Sequence, residues 1–216
     1  MERRAGRSSA SGGSAPTVLP VDVLTKALAP PPRSDGRLRR WDYLVTAIEI
    51  LSTDGVGALT TTNLCAQLNV TRGSLYHHFA SGPALHAAVI DFWENELVPG
   101  LLAHAEAVAD PSERIDVLKS FALWGDHNAE KAIRAWGATN PMVAAAVRRV
   151  DVAREQRLAR MLEDAGVDPS RAGDLARIGF AILVGSQQFD DRIDRRRLGA
   201  LLDEFERWVR SALSDA

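Results

Sequence analysis

From Leu38 onward, apolar residues recur at helical rather than alternating spacing. Leu38, Trp41, Leu44, Val45, Ile48 and Leu51 make one stripe, and Gly55 supplies its stop. "TTTNLCAQL" reads as a short helix opened by a threonine cap. Asn69-Val70 is a turn, and Thr71 caps a second short helix running to about Phe79. Pro83 suits the first turn of a long helix reaching Val98 or beyond. Asp110-Pro111, Asn140-Pro141 and Asp168-Pro169 repeat one start signal, a capping side chain followed by proline. Val143, Val147, Val150, Leu158 and Met161 stripe the helix ended by Gly166. The next helix is polar over 171–177 and then nearly all apolar through "IGFAILVG", so more than one side must be covered. Leu198, Leu201, Leu202, Phe205, Trp208 and Val209 stripe the last. No segment sustains strand alternation, so the expected fold is all-α, with nine to ten helices.

Residues 1–36 depart from this pattern. They are polar, Gly/Ser-rich and broken by "PPPRSDG", which predicts a disordered tail with at most a short helix around Val21, Leu24 and Leu28. Residues 1–40 carry a net +5 and the remainder −7, a basic arm on an acidic body. The single cysteine, Cys65, rules out an internal disulfide framework and fits a cytoplasmic protein. No apolar run reaches the ~18 residues of a membrane span, and no signal-peptide core is present. Arginine far outnumbers lysine, a bias associated with GC-rich bacterial genomes.

The chemistry concentrates in "NVTRGSLYHHF", residues 69–79. A helix–turn–helix pair that enters a DNA groove needs a small residue where its helices cross, and Cys65 stands there. Its turn needs a residue tolerating positive φ, and Asn69 stands there. Val70 pins the turn, while Leu75 and Phe79, four apart, anchor the second helix inward. Arg72, Gly73, Ser74, Tyr76, His77 and His78 are then left for other faces. Arginine pairs with guanine edges and short hydroxyls with several bases. Tyrosine and histidine reach phosphates, and Thr61 and Thr62 offer hydroxyls and backbone N–H groups to another. Competing readings are weaker. Adjacent histidines point about 100° apart on a helix and do not chelate as an i,i+4 pair would, so no metal is expected. No carboxylate near them in sequence orients them for catalysis, so no catalytic residue, no cofactor and no enzyme is expected. A plain solvated helix is the remaining alternative.

"LTTTNLCAQLNVTRGSLYHHFASGPAL" resembles the helix-turn-helix of TetR-family transcriptional regulators. The match is strong over about residues 38–90 and looser beyond. The resemblance implies a three-helix DNA-binding domain at 37–84 and a helical ligand-binding and dimerisation domain at 85–216. Carried across, the family's DNA contacts fall on Thr61, Thr62, Thr71, Arg72, Gly73, Ser74, Tyr76 and His77. One departure matters: the family usually places a phosphate-gripping lysine where this chain has Gly82, so weaker and less salt-dependent binding is expected. Arg33, Arg37, Arg39 and Arg40 either compensate by following the DNA or form a solvated linker.

The implied function is a homodimeric repressor that leaves a palindromic operator when a small, largely apolar effector binds. The alternative is a helical dimeric interaction scaffold with a degenerate DNA head. The dimer is expected through the last two helices, about 171–213. There Ala176, Gly179, Phe180 and Leu183 fill one side, Leu175, Ile178, Ile182 and Phe189 another, and a two-fold bundle covers both. Phe92, Phe121, Trp124, His127, Trp136 and Gln187 are the effector-site candidates, an apolar wall with sparse polar groups; ordinary core packing is the competing reading for each.

Overall fold

The computed structural model describes residues 37–189 and 192–214. The expected basic tail, its short helix and Arg33 lie outside the described residues. Among those described there are ten α-helices and no strand, as the apolar spacing requires: α1 (Arg40–Asp54), α2 (Thr61–Gln67), α3 (Arg72–His78), α4 (Gly82–Phe92), α5 (Val98–Glu106), α6 (Pro111–Trp124), α7 (His127–Gly137), α8 (Pro141–Asp164), α9 (Pro169–Phe189) and α10 (Arg195–Ser214). One π turn, Trp93–Leu97, joins α4 to α5, so the two form a single rod. None of the described helices is long and apolar enough to cross a membrane.

The start signals act as the sequence suggests. The Asp110 carboxylate accepts from Glu113 N at 3.1 Å, the Asn140 side chain from Met142 N and Val143 N, and Asp168 from Ser170 N at 2.7 Å. Gly55 and Gly166 end their helices at positive φ (75° and 102°), which costs glycine no Cβ clash.

The α1 stripe is wider than its spacing suggests. Tyr43, Ala47 and Ile50, off the expected row, are fully buried beside Leu44 and Leu51. The reason is that α1 packs against α2 and α4 on one side and α7 on the other. One apolar core therefore runs from Tyr43 and Leu75 through Phe92 and Trp93 to Trp136 and Val150. A second, around Leu162, Leu175, Phe205 and Val209, ties α8, α9 and α10 together. Gly179 permits this: a Cβ there would stand 2.7 Å from the Phe205 ring.

The last helix divides its apolar stripe. Leu198, Leu202, Phe205 and Val209 are buried within the chain, whereas Leu201 and Trp208 are exposed. On α9, Leu175 and Ala176 turn inward, while Ile178 and Phe189 face out.

Candidate DNA-binding head and the cavity behind it

A seven-residue helix has too few internal bonds to stand alone, so α2 and α3 depend on caps and packing. Thr60 Oγ1 accepts from Asn63 N at 3.1 Å and opens α2; Thr71 Oγ1 accepts from Ser74 N at 3.2 Å and opens α3. Between them Asn69 adopts φ 51°, the left-handed conformation its position calls for. Val70 N then bonds back to Cys65 O at 3.0 Å. Cys65 lies buried at the crossing, its thiol directed at Thr71 O; burial raises its pKa, against the attraction of Arg72. Leu75 and Phe79 are both buried and hold α3 inward.

The outward surface carries Thr62, Thr71, Arg72, Gly73, Tyr76 and His77, all exposed, with Thr61 and Ser74 half-buried. These eight residues therefore share one region, but four of them, Thr62, Thr71, Arg72 and Ser74, are already engaged. The Ser74 hydroxyl shares a 2.7 Å hydrogen bond with the hydroxyl of fully buried Tyr43, whose ring also meets Phe79 and His78. This bond ties α3 to α1, a positioning duty that the pattern of apolar residues gave no sign of. Arg72 donates to Thr62 Oγ1 at 2.8 Å, linking the starts of the two helices and holding the guanidinium at the surface. Arg39 is taken up by Asp42 through both its backbone and its guanidinium, and Arg40 lies over the Phe79 ring. At Gly82, the first residue of α4, a Cβ would meet only the Thr61 methyl at 3.9 Å, so this site has room for a side chain beside Thr61.

Behind the head, α5 to α10 enclose a cavity of about 220 Å³ between the two cores. Its wall is mostly carbon, with Leu101, Leu118, Phe121, Leu158, Phe180, Leu183 and Leu202 among its members. Of the six effector-site candidates, Phe121, His127 and Gln187 line it. The other three do not. Phe92 is buried against Trp41 in the head-side core, and Trp136 is buried edge-on to His86. Trp124 is 51 % exposed beneath the Arg195 guanidinium. An aromatic at helical spacing marks a buried or covered face without saying which neighbour it meets, which is why half of this set misses.

The cavity's polar residues form a connected set that sequence reading did not assemble. Glu130, buried on the wall, takes two bonds from Arg154 (2.6 and 3.1 Å) and one from Arg134 at 3.4 Å. Burial pushes its carboxyl up, but the two arginines outweigh this and hold it below the usual range. His127, one turn earlier on α7, is driven the other way: burial lowers its pKa, so the ring is neutral at pH 7. The residue before it, Asp126, caps α7 and accepts from Ser52 Oγ of α1 at 2.7 Å. The cavity wall and the DNA head thus meet within two consecutive residues.

A helix pair opened by threonines, turned on a left-handed asparagine and presenting an arginine-led outer face has the form of a helix-turn-helix head. The sequence profile of bacterial regulatory proteins of the tetR family matches residues 44–89, the segment that carries this head, and the chain is similar to that family there. Nucleoid occlusion factor SlmA of Vibrio atlanticus is 30 % identical over 92 residues, 42 % of this chain and 47 % of that protein. The chain thus spans about half the length of the curated relatives it matches. The fold recurs in a TetR transcriptional regulator from Legionella pneumophila (TM-score 0.65, 16 % identity, 81 % of this chain and 97 % of that one). It recurs also in a protein from Saccharomonospora viridis assigned as a transcriptional regulator and solved with choline (TM-score 0.61, 15 % identity, 78 % and 95 %).

Proposed function

We propose that this protein is a homodimeric repressor that binds a palindromic operator through α3 and leaves it when a small, largely apolar molecule enters the cavity. Residues 37–84 serve as the DNA-binding unit and residues 85–216 as the effector-binding and dimerising unit. The carrying observation is the outward face of α3: Arg72, Gly73, Tyr76 and His77 are exposed on a helix fixed from behind by Leu75, Phe79 and the Tyr43–Ser74 bond. Arg72 is the base reader, bidentate to guanine once it leaves Thr62. Tyr76, His77, Thr61, Thr62 and Thr71 hold phosphates, and Gly73 gives the backbone close approach. Ser74 serves from behind, by keeping α3 on Tyr43.

One recognition helix reads few base pairs, and a two-fold dimer presents two about 34–36 Å apart. The exposed Ile178 and Phe189 of α9 and Leu201 and Trp208 of α10 support this pairing, because a two-fold bundle of these helices would give their large apolar groups cover. Release requires that the effector prefer one spacing of the heads over another. The Ser52–Asp126 bond, next to His127 on the cavity wall, supports α7 as the element through which the cavity acts on α1.

The test is a gel-shift titration against the region upstream of the protein's own gene, across a salt series and with unrelated competitor DNA, with the mass of the complex measured by sedimentation. Two protomers per site, resistance to competitor and a linear fall of log affinity with log salt are expected. A dimer that binds all DNA alike would favour the interaction scaffold instead.

A further inference from the structure

The effector's chemistry can be read from the cavity wall. Every charge on that wall has a charged or hydrogen-bonding partner within the chain, although the Arg157 guanidinium keeps Nη1 buried without a hydrogen bond. Lys119 pairs with Asp203 and Glu206, at 2.5 and 2.8 Å. Arg154 pairs with Glu130, Arg157 stands 3.7 Å from Glu106, and the Asp126 carboxylate is held by α7 and Ser52. A charged ligand would lose its hydration with no opposite charge left over to replace it, a large cost in a carbon-walled space.

Apart from that Arg157 nitrogen, what is left over on the wall is uncharged. His127 and Gln187 are only 7 % and 5 % exposed, and both line the cavity. They bond to each other, Gln187 Nε2 to His127 Nδ1 at 3.2 Å. Beyond that contact, His127 Nε2 and Gln187 Oε1 are buried without a partner. If Nδ1 accepts, Nε2–H is left as a donor and the amide oxygen as an acceptor. If the amide is turned around and Nδ1 donates, Nε2 becomes the acceptor and the amide N–H the donor. Either way the pair retains one unmet donor and one unmet acceptor, and leaving both unmet is costly. Both atoms are closed over by their neighbours, so an incoming group reaches them by a small side-chain displacement.

We propose that the cavity takes an uncharged, mostly apolar small molecule whose single polar end carries a donor and an acceptor together, as a carboxamide does, seated against His127 and Gln187. The proposal rests on the reading of this cavity as the effector site. A volume of about 220 Å³ has room for on the order of seven or eight water-sized groups, which suits a six-carbon chain with its head group.

The experiment compares three probes of one length, hexanamide, hexanoate and hexylammonium, by titration calorimetry on the full chain at pH 7.5. Hexanamide should bind about tenfold or more tightly than either ion. Gln187→Leu and, separately, His127→Phe should each remove most of that preference, with the folded state checked by melting. Tighter binding of hexanoate or hexylammonium, equal binding of all three, no binding of any, or full retention of the preference in a folded Gln187→Leu protein would overturn the proposal. Adding hexanamide to the gel-shift titration separates the two readings. If hexanamide binds with the expected preference and does not release DNA, the ligand class stands and the repressor reading falls. If the upstream DNA binds specifically and hexanamide does not bind, the reverse holds.

Discussion

In the head, the two short helices α2 and α3 are opened and turned by near neighbours in sequence: Thr60 to Asn63, Thr71 to Ser74, and Asn69 at φ 51° between them. Around the cavity, longer helices meet through partners 24 to 87 residues apart, such as Arg154–Glu130, Gln187–His127 and Lys119–Glu206. The head leaves no slack, since Leu75 and Tyr43 are fully buried and the Tyr43 hydroxyl is itself bonded to Ser74. The body keeps an open volume with three buried polar atoms, His127 Nε2, Arg157 Nη1 and Gln187 Oε1, unmet on its wall. On the proposed function the difference has a reason: a reading helix must be held in one geometry, whereas an effector site must be able to change when filled.

Truncation should expose this contrast most strongly. Leu75→Ala removes a fully buried anchor of a seven-residue helix and should cost about 2–5 kcal/mol of unfolding free energy. Leu183→Ala, beside existing open space, should cost clearly less. Denaturant titrations of both variants check the order, and equal costs would remove the distinction. Next comes the bond between α1 and α3. Tyr43→Phe should lower stability by about 0.5–1.5 kcal/mol and weaken DNA binding on all sequences alike. If Ser74 instead reads a base, Tyr43→Phe would alter the preference at one position.

A pH series sharpens the cavity side. Burial depresses the His127 pKa, with Arg195 adding to it and the Leu123 carbonyl, Glu130 and Asp126 opposing. The unfolded chain therefore takes up a proton near pH 6.5 that the folded chain refuses. This stability is fully present above that pH and is lost as the pH falls through it. The melting temperature should drop between pH 7.5 and 5.5, and His127→Phe should flatten the drop. An unchanged slope would place the titration elsewhere.

The smallest expected effect is at Gly82. Gly82→Lys puts a cation beside Thr61, where a Cβ has room, and should steepen the slope of log affinity against log salt by about 0.9. An unchanged slope would mean that no phosphate passes there.

The same contrast decided what the sequence disclosed. Caps, the left-handed turn and the Leu75–Phe79 anchor are local, so the residue types at 60–79 declare the head and its outward face. Helix starts at Asp110, Asn140 and Asp168 are local as well. The Tyr43–Ser74 bond spans 31 residues and has no spacing rule, so Ser74 read as a base contact rather than a brace. Phe92, Trp124 and Trp136 share residue type and periodicity with Phe121, yet only packing between distant helices decides which of them faces a cavity. The Glu130–Arg154–Arg134–Asp151 cluster joins α7 to α8 and was legible only once those helices lay side by side.

The most direct measurement is the affinity of Arg72→Ala, against the parent protein, on a panel of single-base variants of the bound site. The account predicts a loss of about 1–3 kcal/mol confined to discrimination at one base pair in each half-site. An equal loss on every variant, or no loss at all, would contradict it.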